Sequence, residues 1–322
     1  MSARNRLRSK LFNMYVSETA RRRSRAWHDA KRKLSGGGHV VTAFLQLDDP
    51  YSYLLSQYLP ALVEHYDIEL EVRLSEALGG GYQPAPELLA DYAITDCARV
   101  AAELGLPFLD KGTSPPAEQQ RGLLDAVATR VAEDPGELYR ALECYWRGDG
   151  ESVARLSDGA EPGAGEVLVT EAQNELDRLG HYNSGMLYYA GEWYWGVDRL
   201  PDLLARLDEQ GLGKSESGHP RLASIRQVMH VDLPVVPPAA AKDLPPLDLF
   251  YSFRSPYSQL ALRRVGELAD AFGLQLILRP VLPMMMRGMA VPRKKIRYIL
   301  RDTAREAERL GPSRSDPGRT DH

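Results

Sequence analysis

The sequence predicts an α/β chain in which one strand-helix-strand unit occurs twice, the second time incompletely. The first observation is an offset. "LDDPYSYLLSQYL" (Leu47 to Leu59) and "SFRSPYSQLALRRV" (Ser252 to Val265) share Pro-Tyr-Ser, and Pro50/Pro256, Tyr51/Tyr257 and Ser52/Ser258 are each 206 positions apart. The second is that the offset continues without a gap through Leu62/Leu268, Tyr66/Phe272, Arg73/Arg279 and Pro86/Pro292. "YAITDCARVAAELG" (Tyr92 to Gly105) then lies over "YILRDTAREAERLG" (Tyr298 to Gly311), pairing Asp96 with Asp302 and Arg99 with Arg305. The third is the local pattern, which is the same in both places. Self-similarity at a fixed offset takes precedence over any local reading.

In each copy an apolar run, "VVTAFLQL" or "LDLFYSF", reads as a buried strand, and a proline-initiated amphipathic helix follows. "IELEVRL" or "LQLILRPV" is the second strand. A connection that long implies a right-handed crossover between parallel strands. The first copy continues through helical segments near 118–133, 137–146 and 166–179. It closes with two short aromatic strands around Ala190-Gly191-Glu192 and a helix from about Leu200 to Gln210. The expected organisation is a basic extension (1–37), a first domain (38–213), a linker (214–245) dense in proline at "PVVPPAAAKDLPPL", a partial second domain (246–311) and a disordered tail (312–322). Agreement between the copies ends at Gly311, as a changed reading frame or a cut would produce.

Composition narrows the function classes. At 322 residues and 43% hydrophobic the chain can build two ordinary cores. No window approaches the roughly 20 consecutive apolar residues of a membrane-spanning helix, and no secretory leader is legible, so the expected location is the cytoplasm. The net charge of -4 conceals a segment, Met1 to Leu34, with eleven Arg/Lys against Glu18 and Asp29, leaving -13 for the remainder. A solvated helix or tail lying against acidic surface is the expectation for it, and no nucleic-acid partner is expected. Only Cys97 and Cys144 are present, without a Cys-x-x-Cys pair, and the seven histidines include no i, i+4 pair. Disulfide frameworks, dithiol redox chemistry and zinc sites therefore lack their residues, and no metal is expected.

"FYSFRSPYSQLAL" (Phe250 to Leu262), "LILRPVLP" (Leu276 to Pro283), the helix ending at Gly311 and "YYAGEWYWGVDRL" (Tyr188 to Leu200) together resemble the DsbA-like branch of the thioredoxin fold. The resemblance is to the group of 2-hydroxychromene-2-carboxylate isomerases and kappa-class glutathione transferases. It implies a thioredoxin-like fold with a helical insertion in two tandem copies, glutathione as cofactor, and a small aromatic or conjugated substrate. A homodimer is compatible with it. Where the disulfide-oxidising members carry Cys-x-x-Cys, the copies read "DPYS" and "SPYS", and where a cis-proline is usual, the first copy reads "SGMLYY".

The resemblance places the thiol-holding serine on Ser255, with Phe253, Pro256 and Tyr257 as cofactor-binding or pocket-wall residues. A hydroxyl donor at a helix N-terminus favours a thiolate. Ser255 followed by Pro256 is equally good helix-starting grammar, so a capping role is expected in any case. Asp49, with Pro50 and Tyr51, forms the degenerate first-copy site. Aspartate caps as well as serine does, but its charge repels a thiolate. Met284, Met285 and Met286 read as core packing or an apolar pocket lining. The competing reading is a noncatalytic thioredoxin-fold scaffold; a disulfide oxidoreductase is disfavoured by the missing cysteine pair.

Overall fold

The structure, a computed structural model, describes residues 14–76, 82–83, 85–108, 117–130, 136–215, 218–229 and 244–311. The start of the basic extension (1–13), the proline-dense part of the linker (230–243) and the expected disordered tail (312–322) lie outside the described residues. The chain divides into two units, Arg25–Val231 and Met1–Ser24 with Asp232–His322.

The larger unit is an α/β domain on a mixed sheet. Its strands are β1 (Val40–Leu45), β2 (Glu69–Leu74), β3 (Met186–Tyr189) and β4 (Glu192–Trp195), in the order β2-β1-β3-β4. β1 runs parallel to β2 and antiparallel to β3, which continues antiparallel to β4. β1 is the central strand, and Val41 through Leu45 are all buried, which is why it reads as an unbroken apolar run rather than an alternation.

The helix between β1 and β2 is broken. α1 (Glu18–Ser35) precedes the sheet; α2 (Pro50–Ser56) and α3 (Leu59–His65) then divide the expected single helix. Pro60 sits at the start of α3, where its missing N–H costs least. The residue 206 positions on is Gly266, and there α11 (Pro256–Phe272) runs unbroken.

α4 (Pro86–Leu104) ends on Gly105 in the left-handed conformation. The helical insertion comprises α5 (Ala117–Arg130), α6 (Gly136–Arg147), α7 (Gly150–Ser157) and α8 (Ala164–Leu179). The sequence pattern anticipated three of these four; α7 is added. After the hairpin, α9 (Leu200–Glu209) buries Leu200, Leu203, Leu204 and Leu207 on one face. The stretch read as linker includes α10 (Pro220–Met229), whose Leu222 and Ile225 join the same core.

From Arg25 onward α1 belongs to this unit, and two of its charged residues, Arg25 and Asp29, are paired. Arg25 Nε and Nη2 bond the two carboxylate oxygens of Glu192 at 2.7 and 3.3 Å, and Nη1 bonds Glu209 at 2.9 Å. Arg206, 4% exposed, bonds Asp29 of α1 at 3.0 Å. Gly191, at φ 85° in the hairpin turn, admits the imidazole of His28: a Cβ there would lie 2.2 Å from Nε2. A side chain at this turn would force the His28 ring to move and would itself be strained at this φ.

In the smaller unit β5 (Leu247–Tyr251) pairs in parallel with β6 (Leu276–Pro280) across α11, and α12 (Arg293–Leu310) follows. Leu247 pairs with Leu276 as Val40 pairs with Glu69, the same separation of 29 residues. Arg21 pairs with Glu308, and Arg301 lies over the ring of Tyr15 at 4.6 Å.

Candidate functional site

Both motif helices begin at a capping side chain. Asp49 is extended (φ -101°, ψ 113°) and accepts the backbone N–H groups of Tyr51 and Ser52 and the Ser52 hydroxyl at 3.3, 3.0 and 2.6 Å. Ser52 Oγ in turn accepts the N–H of Gln46 at 3.1 Å. Gln46 holds Asp48 through its amide N–H at 2.7 Å and accepts from the Ser184 hydroxyl at 2.9 Å. Gly185, at φ 64°, brings the backbone entering β3 so close that a Cβ would lie 3.2 Å from Asp49 Oδ2. The described peptide bonds include no cis bond.

Asp49 is half-buried, and the loss of water around its carboxyl pushes its pKa up to about 6. The hydrogen bonds from Ser52 and Tyr51 pull it down by less, and Asp48 adds a smaller upward push. Pro50 is buried, and half-buried Tyr51 donates its hydroxyl to Asp96 at 2.9 Å. Burial, then the Asp96 bond, raise the Tyr51 pKa well above the usual phenol range. Tyr51 is thus held as a neutral donor.

Ser255 occupies the corresponding place with the same backbone (φ -93°, ψ 117°), and its Oγ accepts the N–H of Ser258 at 3.3 Å. Ser258 Oγ accepts the N–H of Ser252 at 3.3 Å, as Ser52 does from Gln46. Tyr257 donates to Asp302 at 2.7 Å, repeating the Tyr51–Asp96 bond across the same 45 residues. Asp302 is 2% exposed and also takes a 2.6 Å bond from Arg305.

Ser255, Pro256 and Tyr257 therefore come together at one half-buried helix start, with Phe253 just before it. Phe253 is 77% exposed and meets Tyr251 edge-on at 5.0 Å. Met286 is 66% exposed, so at that position the core-packing expectation is corrected: the short helical turn Met284–Arg287 leaves it facing outward. Asp96 and Asp302 are the site residues whose role the sequence reading missed; the shared spacing of 45 between tyrosine and aspartate was the available signal.

Neither thiol is an activated nucleophile. Cys97 is buried on α4, and burial, followed by the charges of Asp49, Asp96 and Asp198, raises its pKa far above that of a free thiol. Half-buried Cys144 is raised mainly by burial, then by Asp149 and Glu143. Thiolate is the attacking species in disulfide exchange. Cys97→Ser/Cys144→Ser should therefore leave any enzymatic activity of a folded protein standing, and the parent should reduce a small aromatic disulfide at pH 7 no faster than free cysteine. A faster parent would restore the redox reading.

Among the described residues no group of three or more His, Cys, Asp or Glu is placed to hold a metal ion, and no helix is long and apolar enough to cross a membrane. An open groove lined by Glu118, Gln119, Glu151 and Asp158 contains none of the motif residues.

No family model and no curated protein matches this chain. Among solved structures, one of 2-hydroxychromene-2-carboxylate isomerase is similar over 53% of this chain and 97% of that chain, at 17% sequence identity and a TM-score of 0.35. A likeness at that level carries no argument about activity.

Proposed function

We propose that the chain consists of two thioredoxin-like copies of one unit, the second partial, and that Ser255 holds the thiol of glutathione for a reaction of the isomerase or transferase type on a small aromatic or conjugated substrate. The repeated hydrogen bonds support the tandem reading: Asp49 and Ser255, Ser52 and Ser258, and Tyr51 and Tyr257 make equivalent contacts 206 positions apart. The strand order β2-β1-β3-β4 with a helical insertion before β3 supports the thioredoxin-like one.

The observation that carries the site is the state of the Ser255 hydroxyl. Its oxygen accepts from Ser258, and among the described residues nothing accepts its proton. That proton is available to a thiolate at the positive end of a 17-residue helix. The residues at Ser255 fit a thiol, with Phe253, Pro256 and Tyr257 beside it. At Asp49 they do not, since the carboxyl group already receives three hydrogen bonds and its ionised form repels a thiolate. When bound, glutathione would supply a nucleophilic sulfur able to add reversibly to a conjugated double bond. Ser255 would stabilise the ionised sulfur, Tyr257 would be held by Asp302 as a fixed wall, and Phe253 would offer an apolar face.

The test is the pKa of the bound thiol, followed by thiolate absorbance. Ser255→Ala should raise it while the fold survives the lost cap, which is worth about 0.5–2 kcal/mol. An unchanged pKa, or no glutathione binding by the parent, would reduce Ser255 to a helix cap. The noncatalytic scaffold reading is favoured by one observation of its own, the exposed ring of Phe250 on the unpaired edge strand of the smaller unit.

A further inference from the structure

We infer that β5 is a docking edge for another polypeptide, one that adds an acidic, aromatic β-hairpin antiparallel to it. This goes beyond the thiol site and uses no residue of it.

The first observation is an open strand edge. Leu247 donates its N–H to Gln275 at 2.9 Å, and Tyr251 accepts from Val281 at 2.8 Å, so the odd-numbered residues of β5 face β6. The N–H and C=O groups of Asp248 and Phe250 face the other way. Among the described residues β5 pairs with β6 alone, whereas β1 pairs with β2 on one side and with antiparallel β3 on the other. An unpaired edge is a ready template for a further strand.

The second observation is what the open edge leaves uncovered. Phe250 is 69% exposed. Phe44, 206 positions earlier, is 0% exposed and packs against Trp193 of the hairpin at 5.4 Å between ring centroids. The sheet of the smaller unit thus presents the aromatic group that the larger unit covers with a hairpin tryptophan. On the same face Arg279, the register partner of Phe250, pairs with Asp248 at 3.0 Å.

Charge selects the occupant. Residues 246–311 carry twelve Arg/Lys against six Asp/Glu, and residues 185–211, the hairpin and helix that cover Phe44, carry five acidic against two basic residues. A second copy of the β5–β6 unit would bring together two segments each of net charge +6, which repel. An acidic hairpin is attracted, and a tryptophan or comparable ring on its inner face completes the contact with Phe250.

A labelled peptide of residues 185–211 is the probe, titrated onto the full chain while amide hydrogen exchange is followed at Asp248 and Phe250. Both amides should exchange rapidly in the free chain and slow when the peptide is added, and binding should weaken with salt. Phe250→Ala, a surface change that spares the fold, should weaken binding about tenfold, as should Trp193→Ala in the peptide. The proposal is overturned if the two amides are already protected in the free chain, which would mean that the chain covers its own edge. It is equally overturned if they do not slow on addition of the peptide, if a scrambled peptide of the same charge binds as tightly, or if Phe250→Ala leaves the affinity unchanged.

Discussion

Arg206→Met should destabilise the larger unit by about 3–5 kcal/mol, the loss expected when one partner is removed from a buried ion pair and the other is left behind. Arg206 is 4% exposed and joins Asp29 of α1, at 3.0 Å, to Glu209 of its own helix, at 3.5 Å. Glu192 lies 4.0 Å from its Nε and is already committed to Arg25. Methionine fills similar space but leaves Asp29 without its cation. Arg226→Met is the control: Arg226 bonds Asp208 at 2.6 Å, but with 42% and 44% of the two side chains exposed, water screens the pair and the expected loss is about 1 kcal/mol or less. Urea unfolding followed by tryptophan fluorescence separates the two. Equal midpoints for the two variants would mean that α1 lies on the unit without stabilising it.

This network also shows where sequence reading stops. The opening strands, the motif helices and the hairpin were legible because their signals are local: apolar runs, proline at a helix start, aromatic residues flanking Ala190-Gly191. The N-terminal basic stretch was legible as charge lying against acidic surface, but not as particular pairs. Arg25 and Glu192 are 167 residues apart, and Asp29 and Arg206 are 177 apart, so no local pattern joins them. α10 escaped because the proline-dense stretch after it set the character of the whole linker, although Leu222 and Ile225 at i, i+3 mark a buried face. At the site, Ser255 and Asp49 were legible as caps from residue type alone. The Tyr51–Asp96 and Tyr257–Asp302 bonds were not, because each joins residues 45 positions apart, beyond the reach of any local pattern. The exposure of Phe250 could not be read at all: Phe44, 206 positions earlier, is buried against Trp193 of the hairpin, whereas among the described residues β5 pairs with β6 alone.

The second large effect is a pH dependence located on Asp49. Its folded pKa, about 6, lies above the ordinary carboxyl value of 3.8, because burial outweighs the bonds from Ser52 and Tyr51. The folded state therefore holds this proton more tightly than the unfolded state does. The stability it contributes is fully present below about pH 3.8 and is lost as pH rises through 6. At 1.36 kcal/mol per pKa unit the full effect is about 3 kcal/mol, and because the residue is only half-buried, about 1–3 is the working range. Asp49→Asn keeps an oxygen for the capping bonds and has no proton to lose. Its stability relative to the parent should therefore rise by about 2 kcal/mol between pH 4 and pH 8, read from urea unfolding of both proteins at each pH. Taking the difference between the two proteins cancels the titrating groups that do not interact with Asp49, so a difference that stays constant with pH would mean that Asp49 is an ordinary ionised cap. A difference that grows as expected would mean that the Asp49 carboxyl group is neutral in mild acid and charged above pH 6. Above pH 6 that charge would repel a thiolate brought beside it.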